Sequence, residues 1–212
     1  MSPIRLPRPV RGPRRSAAVV RLALALAAAV VALAACGQAV ATPVPDPSSA
    51  CAGADVQRAA GFYPDLERVV PGTLAGVAAS SRDSGRYCSQ KMLGPLYAAG
   101  HQEVRFAGAT FPDTSRSGIS LISYAAPGIT ADEVAAAFRA GSGTGRKIEL
   151  ISDDPRVVGG REGRRIELIN GDTRQVIVLW PATAADQVRI VIGVDVSNAA
   201  IDAAVADFDA SA

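Results

Sequence analysis

The sequence of this 212-residue chain predicts an α+β fold, in which an antiparallel or mixed sheet of about five to seven strands has helices packed on it. Val- and Ile-rich runs separated by turn residues fill the second half of the chain, which is typical of β-strands. Apolar residues recur at helical spacing before, between and after these runs. Strands and helices do not alternate regularly, which disfavours a doubly wound nucleotide-binding fold.

The first 35 residues have the composition of a secretion signal. They contain six Arg and no acidic residue, and residues 22–35 form an uncharged apolar run. As a helix these 14 residues would span about 21 Å, whereas a membrane crossing needs roughly 20 residues. We therefore expect a cleaved signal peptide over residues 1–35 rather than a permanent membrane span.

Cys36 follows the apolar run directly, as the last residue of Leu33-Ala34-Ala35-Cys36. This tetrapeptide resembles the bacterial lipobox, which implies diacylglyceryl attachment to Cys36, cleavage before it and acylation of the new N-terminus. With 20 Arg, two Lys and abundant Ala, the chain resembles an actinobacterial envelope lipoprotein, anchored to the extracytoplasmic face of the cell membrane. The alternatives are ordinary secretion after Ala39-Val40-Ala41 and, for the export route, a twin-arginine signal at Arg14-Arg15.

The remaining chain divides into a Pro-rich tether over residues 36–50 and a single α+β domain over residues 51–212. Without residues 1–35 the chain keeps 16 basic and 20 acidic side chains, a net charge of about −4. The whole-chain pI of 8.6 therefore gives no reason to expect nucleic-acid binding.

Cys51 and Cys88 are the two cysteines of the mature domain, and outside the cytoplasm such a pair most simply forms a disulfide. The bridge would close 37 residues and stabilise the fold by about 3 to 4 kcal/mol. A metal site that adds His101 is the weaker alternative, because no Cys-x-x-Cys spacing is present. We expect no cofactor and no metal.

In the first part of the domain, residues 54–62 predict a short helix and residues 66–70 a short apolar segment. Asp83-Ser84-Gly85 matches the aspartic-protease tripeptide, but it occurs once and predicts a tight turn. Residues 89–99 predict a helix that Gly94-Pro95 breaks. The apolar residues of that broken helix are Met92, Leu93, Leu96 and Tyr97.

The rest of the domain has clearer signals. Thr130 and Glu133 form a capping box that opens a helix ending near Gly141, with Ile129 and Val134 as a hydrophobic staple. Asn170-Gly171 predicts a hairpin turn. The predicted strands are 103–111, 119–125, 147–152, 156–159, 164–169, 175–180 and 187–196. A last helix begins after Ser197 and buries Ile201, Ala204, Val205 and Phe208.

No residue pattern forms a recognisable catalytic set. The glycines of residues 141–145 follow a helix instead of opening one, so they predict a helix exit and a flexible link rather than a phosphate site. His101 is the single His and is expected to be a solvated turn residue. Trp180 is expected at the core edge, with an interaction surface as the alternative. Arg161, Arg164 and Arg165 are expected on a solvated hairpin.

The apolar blocks of residues 176–179 and 190–192 predict strands that are buried on both faces. Either a second helix layer or an apolar ligand could cover the second face. The main hypothesis is therefore a non-enzymatic, lipid-anchored envelope protein that binds an apolar ligand or an envelope protein partner. The alternatives are a cell-envelope hydrolase that uses His101 and a structural subunit of an envelope transport complex, the latter suggested by the tether and an exposed Trp180.

The order of predicted elements is similar to that in small actinobacterial lipoproteins whose fold is related to the Mog1 and PsbP proteins. This resemblance is architectural and covers residues 50–212. It implies helices on an antiparallel sheet, and it assigns no site residue apart from the lipidated Cys36.

Overall fold

Ten strands and five helices occur in the part of the chain that the computed structural model describes, which is residues 46–51, 56–114, 116–142 and 147–211. The predicted signal peptide, Cys36, most of the predicted tether and residues 143–146 lie outside these ranges. Within them, no helix has the length and apolar character needed to cross a membrane.

Eight strands form one antiparallel sheet in the order β1-β4-β5-β6-β10-β9-β8-β7, and β2 and β3 form a separate hairpin. The strands are β1 (Val56–Ala59), β2 (Thr73–Leu74), β3 (Val77–Ala78), β4 (Ser81–Tyr87), β5 (Val104–Pro112), β6 (Gly118–Ala125), β7 (Ile148–Val158), β8 (Arg161–Asn170), β9 (Thr173–Pro181) and β10 (Gln187–Val194). The helices are α1 (Pro64–Arg68), α2 (Gln90–Leu93), α3 (Pro95–Ala98), α4 (Ala131–Ser142) and α5 (Asn198–Ala210).

The predicted antiparallel sheet with packed helices is present, but its strands outnumber the expected five to seven. The helix predicted over residues 54–62 is wrong, because Val56–Ala59 forms edge strand β1 and pairs with β4. The tight turn predicted at Asp83-Ser84-Gly85 is also wrong, because this tripeptide lies inside β4. Strand β4 has no apolar run. Backbone pairing on both sides, with β1 and β5, holds it in the sheet.

Strands β9 and β10, at the centre of the sheet, are buried on both faces, as their apolar blocks predict. In β9, Val176, Val178 and Trp180 join a core formed with α1, the β2-β3 hairpin and α5. The alternate residues Ile177 and Leu179 join a second core formed with α2, α3 and α4. A second layer of helices therefore covers the face for which an apolar ligand was the alternative.

The predicted starts of α4 and α5 are confirmed. The Thr130 backbone N–H donates to Glu133 Oε2 at 2.9 Å, and the Glu133 backbone N–H donates to Thr130 Oγ1 at 3.3 Å. Ser197 caps α5 by accepting from the Ala200 backbone N–H at 3.2 Å. The stripe predicted for α5 is buried in full, namely Ile201, Ala204, Val205 and Phe208.

Two details of the predicted hairpins differ from the structure. Asn170 pairs with Thr173, so the two-residue turn is Gly171-Asp172 rather than Asn170-Gly171. Gly171 adopts a φ of 67°, which glycine permits without a steric cost. The two strands predicted at 147–152 and 156–159 are one long edge strand, β7, which a bulge between Leu150 and Ser152 interrupts.

Candidate functional site

An open cleft of about 440 Å³ separates helices α2 and α3 from helix α4. We call it the aromatic cleft, because Tyr87, Tyr124 and Phe138 contribute three rings to its lining. Its aliphatic lining residues are Met92, Leu93, Leu96, Val134 and Ala137. A concave site of this size with mostly apolar walls is typical of a small-ligand site.

The break between α2 and α3 positions one wall of the cleft. Ser89 caps α2 by accepting from the Met92 backbone N–H at 3.3 Å. Gly94 then turns the chain with a φ of 49°, and Pro95 starts α3. Because the two helices each have a single turn, the predicted stripe divides: Leu93 and Leu96 are buried, whereas Met92 and Tyr97 are 41% and 40% exposed.

The sheet side of the cleft is formed by two tyrosines on β4 and β6. Tyr87 stacks on Phe106 with ring centroids 4.7 Å apart, and it meets Tyr124 edge to face at 6.1 Å. Burial, followed by the neighbouring Tyr87 hydroxyl, raises the pKa of Tyr124 above its usual range. The Tyr124 hydroxyl therefore stays neutral, and this wall carries no charge from it at any physiological pH.

Lys91, at the edge of the cleft, is the one charged side chain among the described residues that line it. Its flexible stem can cover apolar surface while its ammonium group stays in water. The cleft as a whole can therefore bury an apolar group, and Lys91 lies at its edge.

Residues 46–51, most of which the sequence predicts to belong to the tether, are attached next to this cleft. Cys51 and Cys88 form a disulfide with Cα atoms 5.5 Å apart. Their sulfurs lie near a Glu103 carboxylate. Because the two sulfurs form a disulfide, neither is a thiolate that could ligate a metal. Because Tyr87 and Lys91 flank Cys88 in sequence, the bridge fixes the start of the domain beside the aromatic cleft.

Arg86 also holds residues 46–51, through hydrogen bonds to Ser49. Its guanidinium is 1% exposed and donates to the Ser49 carbonyl at 2.8 Å, to Ser49 Oγ at 3.0 Å and to Gln57 Oε1 at 2.8 Å. The carboxylate of Glu103 lies 3.5 Å away. Residues 46–51 are thus held against the domain by a buried cation as well as by the disulfide. No sequence pattern indicates this role, since Arg86 lies in a polar stretch.

The expectation that His101 is a solvated turn residue is wrong. His101 is 9% exposed, and its Nε2 lies 3.3 Å from Glu133 Oε2. Burial raises the pKa of Glu133, but hydrogen bonds from Thr130 and His101 outweigh it and hold the pKa below its usual value. His101 thus lies beside a carboxylate, but the hydrolase hypothesis also requires this pair to lie in a cleft, and neither residue lines the aromatic cleft. That carboxylate also caps α4, so the pair joins the loop before β5 to the start of a helix.

Trp180 is a core residue rather than an interaction surface. It is fully buried, meets the Phe208 ring edge to face at 5.9 Å and donates its indole N–H to Asp209 Oδ1 at 2.9 Å. Asp209 also pairs with Arg161. The exposed Trp that suggested a structural subunit is therefore absent.

The basic group on β8 is paired rather than fully solvated. Arg161 pairs with Asp209, Arg164 contacts Asp153 at 2.6 Å, and Arg165 contacts Glu167 at 3.0 Å. All three arginine side chains are between 20% and 26% exposed. The three arginines therefore connect β8 to neighbouring strands and helices through these contacts.

Comparison with known proteins gives little beyond this geometry. No family model matches the chain, and no curated protein matches it. Among solved structures it is similar to cyanobacterial PsbP (CyanoP) from Synechocystis sp. PCC 6803 at 19% sequence identity and a TM-score of 0.31. The match covers 66% of this chain and 94% of that chain. At this TM-score the likeness carries no argument about function.

Proposed function

We propose that this chain is a lipid-anchored protein on the extracytoplasmic face of the cell membrane, and that it is a non-enzymatic binding protein for an apolar ligand. The aromatic cleft is the site, and an acyl chain of an envelope lipid is the kind of ligand that it fits. Cys36 carries the anchor through the lipobox-like Leu33-Ala34-Ala35-Cys36. An apolar side chain of an envelope protein partner is the alternative occupant.

The open, apolar lining of the cleft is the observation that supports this proposal most strongly. Each CH₂ group that a ligand buries there contributes about 0.8 kcal/mol, so a chain of several carbons suffices for measurable binding. Met92, which is 41% exposed, supplies a flexible and polarisable wall that adapts to ligands of different shape.

The attachment of residues 46–51 supports the membrane part of the proposal. Asp46 lies ten positions after Cys36, and ten residue steps of a fully extended chain reach about 33 Å. A lipidated Cys36 would therefore keep the domain close to the bilayer. A ligand drawn from the membrane would have a short path to the aromatic cleft.

The proposal is tested by extracting lipids from the full chain after purification from its own membrane. We expect a stoichiometric apolar molecule in the wild-type extract. Ala137→Phe places a ring in the aromatic cleft and is expected to remove that molecule. Ala203→Phe is the matched control, because it makes the same change on α5, on the opposite face of the sheet.

The proposal fails if the wild-type extract contains no apolar molecule. It also fails if Ala137→Phe retains as much of that molecule as wild type does. If Ala203→Phe loses it and Ala137→Phe does not, the ligand lies elsewhere. If a protein partner crosslinks through Met92 or Phe138 and no lipid is found, the apolar ligand is ruled out and the protein partner is the occupant of the cleft.

A further inference from the structure

A second groove lies on the opposite face of the sheet, between the β2-β3 hairpin and α5. Its volume is about 420 Å³. Phe111 and Ile119 form the floor at the ends of β5 and β6. Leu74 and Val77 form one wall and the alanines of α5 form the other. Val77 is 49% exposed, so the groove presents apolar surface directly to solvent.

Three carboxylates surround this apolar floor: Asp113 after β5, Asp195 after β10, and Asp207 on α5. No Lys or Arg occurs among the described residues that line it. We call the site the acidic groove. The aromatic cleft, in contrast, is lined by one Lys and by no described Asp or Glu.

The closest contacts of these aspartates are to neutral donors, but the charge of Arg174 reaches Asp195. The pKa of Arg174 is raised by its hydrogen bond to Glu167 and, further, by the charges of Glu167 and Asp195. Asp195 accepts the Arg174 backbone N–H at 2.8 Å, and Asp113 accepts the Ser117 hydroxyl at 3.4 Å. Both donors are neutral groups. In the described part of the chain, none of the three aspartates is in an ion pair.

Other acidic residues of α5 do have cationic partners. Asp202 contacts Arg156 at 2.9 Å, and Asp209 pairs with Arg161. The α5 carboxylates that point toward β7 and β8 therefore have cationic partners. Asp207, which lines the groove, has none among the described residues.

We propose that the acidic groove binds a small organic cation with an apolar body, such as an alkylammonium. The floor and the two walls would bury the apolar part, while the three carboxylates would attract the positive head. Such a ligand is favoured over an amphiphile of equal length with another head group. The carboxylates attract a cationic head, exert no net attraction on a neutral one and repel an anionic one. The volume lies within the range of about 300 to 1,000 Å³ that is typical of small-molecule sites.

This inference goes beyond the proposed function, since it concerns a different ligand class on the other face of the sheet. The two sites are also separable by experiment. After trypsin cleavage, the two walls of the acidic groove lie on peptides 69–82 and 190–212, whereas Met92, Leu93 and α3 of the aromatic cleft lie on peptide 92–105.

The test is photolabelling of the full chain in nanodiscs of neutral phosphatidylcholine, which do not concentrate either charge. Three probes carry the same diazirine on a dodecyl chain and differ only in the head group: trimethylammonium, carboxylate or hydroxyl. We expect the cationic probe to label peptides 69–82 and 190–212 about tenfold more strongly than the other two. This ratio corresponds to about 1.4 kcal/mol, which three solvent-exposed charges can supply together.

The matched variant is the combination of Asp113→Asn, Asp195→Asn and Asp207→Asn. Asn preserves the shape of each side chain, and at position 195 it tolerates the φ of 49° and can still accept the Arg174 N–H. We expect cation labelling to fall about tenfold and labelling by the alcohol to stay unchanged. Ala203→Phe is expected to abolish all labelling of peptide 190–212, whereas Ala137→Phe leaves it intact.

Equal labelling of the groove by the three probes would overturn the proposal, and so would a triple variant that labels like wild type. Labelling of peptide 92–105 by the alcohol or carboxylate probe reports on the aromatic cleft. The proposed function and this inference can therefore fail independently.

Discussion

At the scale of single residues, buried arginines join segments that apolar contacts alone would not join. Arg86 ties Ser49 and Gln57 to the sheet. Arg189, on β10, is 3% exposed and donates to the carbonyls of Phe208 and Asp209 at the end of α5. A cation at a helix C-terminus interacts favourably with the helix dipole. Burial lowers the pKa of Arg189, yet the group stays charged at neutral pH because its ordinary value is so high.

Arg86→Ala is expected to destabilise the fold by about 3 kcal/mol. The change removes the donor to the Ser49 carbonyl and to the Gln57 side chain at a partly buried site, and it leaves the Glu103 carboxylate without this buried cation. The free energy of unfolding can be measured in urea with Trp180 fluorescence, because this single Trp is fully buried.

Arg68→Ala is the control for that measurement. The Arg68 side chain is 74% exposed and pairs with Asp65 on the same short helix, so its removal is expected to leave stability unchanged. Equal effects of the two substitutions would contradict the role given to Arg86.

At the scale of elements, an ion network joins the sheet to α5. The Glu167 carboxylate accepts from Arg174 Nε at 2.7 Å and from Arg165 at 3.0 Å. Both arginines also donate to Asn198 Oδ1, at the start of α5. The hydrogen bond from Arg174 is the largest cause that lowers the pKa of Glu167; burial opposes it, and Arg165 adds to the lowering.

Glu167→Gln is expected to lose about 1 to 2 kcal/mol of stability at neutral pH, since charge-assisted hydrogen bonds become neutral ones. The folded-state pKa of Glu167 lies below its unfolded value of about 4.5. Its contribution is therefore complete above that value and is lost as the pH falls through the folded-state pKa. Unfolding measured against pH should show the difference between wild type and variant shrinking below about pH 4.5. A difference that stays constant into acid would contradict this assignment.

The elements also show what a sequence can predict. Strands β5, β6, β9 and β10 and helices α4 and α5 have strong apolar periodicity or caps, and their positions were predictable. Strand β4 was not, because Ser81–Tyr87 is polar and is stabilised by backbone pairing with two neighbours. The local sequence pattern of β1 predicts a helix, but backbone pairing with β4 overrides that preference and makes this segment a strand.

The candidate site was predictable only in part. The broken helix at Gly94-Pro95 could be anticipated, but the gap between it and α4 depends on tertiary packing. The pairing of Tyr87 with Tyr124 depends on the register of β4, a strand that the sequence did not reveal. For the acidic groove, Asp113, Asp195 and Asp207 are far apart in sequence and meet only in the fold.

At the scale of the whole molecule, the sheet separates two sites of opposite character. The aromatic cleft, with Lys91 at its edge, lies beside the disulfide that fixes the start of the domain. The acidic groove lies on the other face. If Cys36 is lipidated, the same protein holds one site for an apolar ligand and another for an amphipathic cation close to one membrane.

The central claim is a membrane-anchored protein that carries an apolar ligand, and intact mass spectrometry of the chain extracted from its own membrane tests it most directly. We expect a chain that starts at an acylated Cys36, is two hydrogens lighter than its reduced form, and releases a bound apolar molecule. An unmodified chain that starts beyond Cys36 and carries no such molecule would contradict the account.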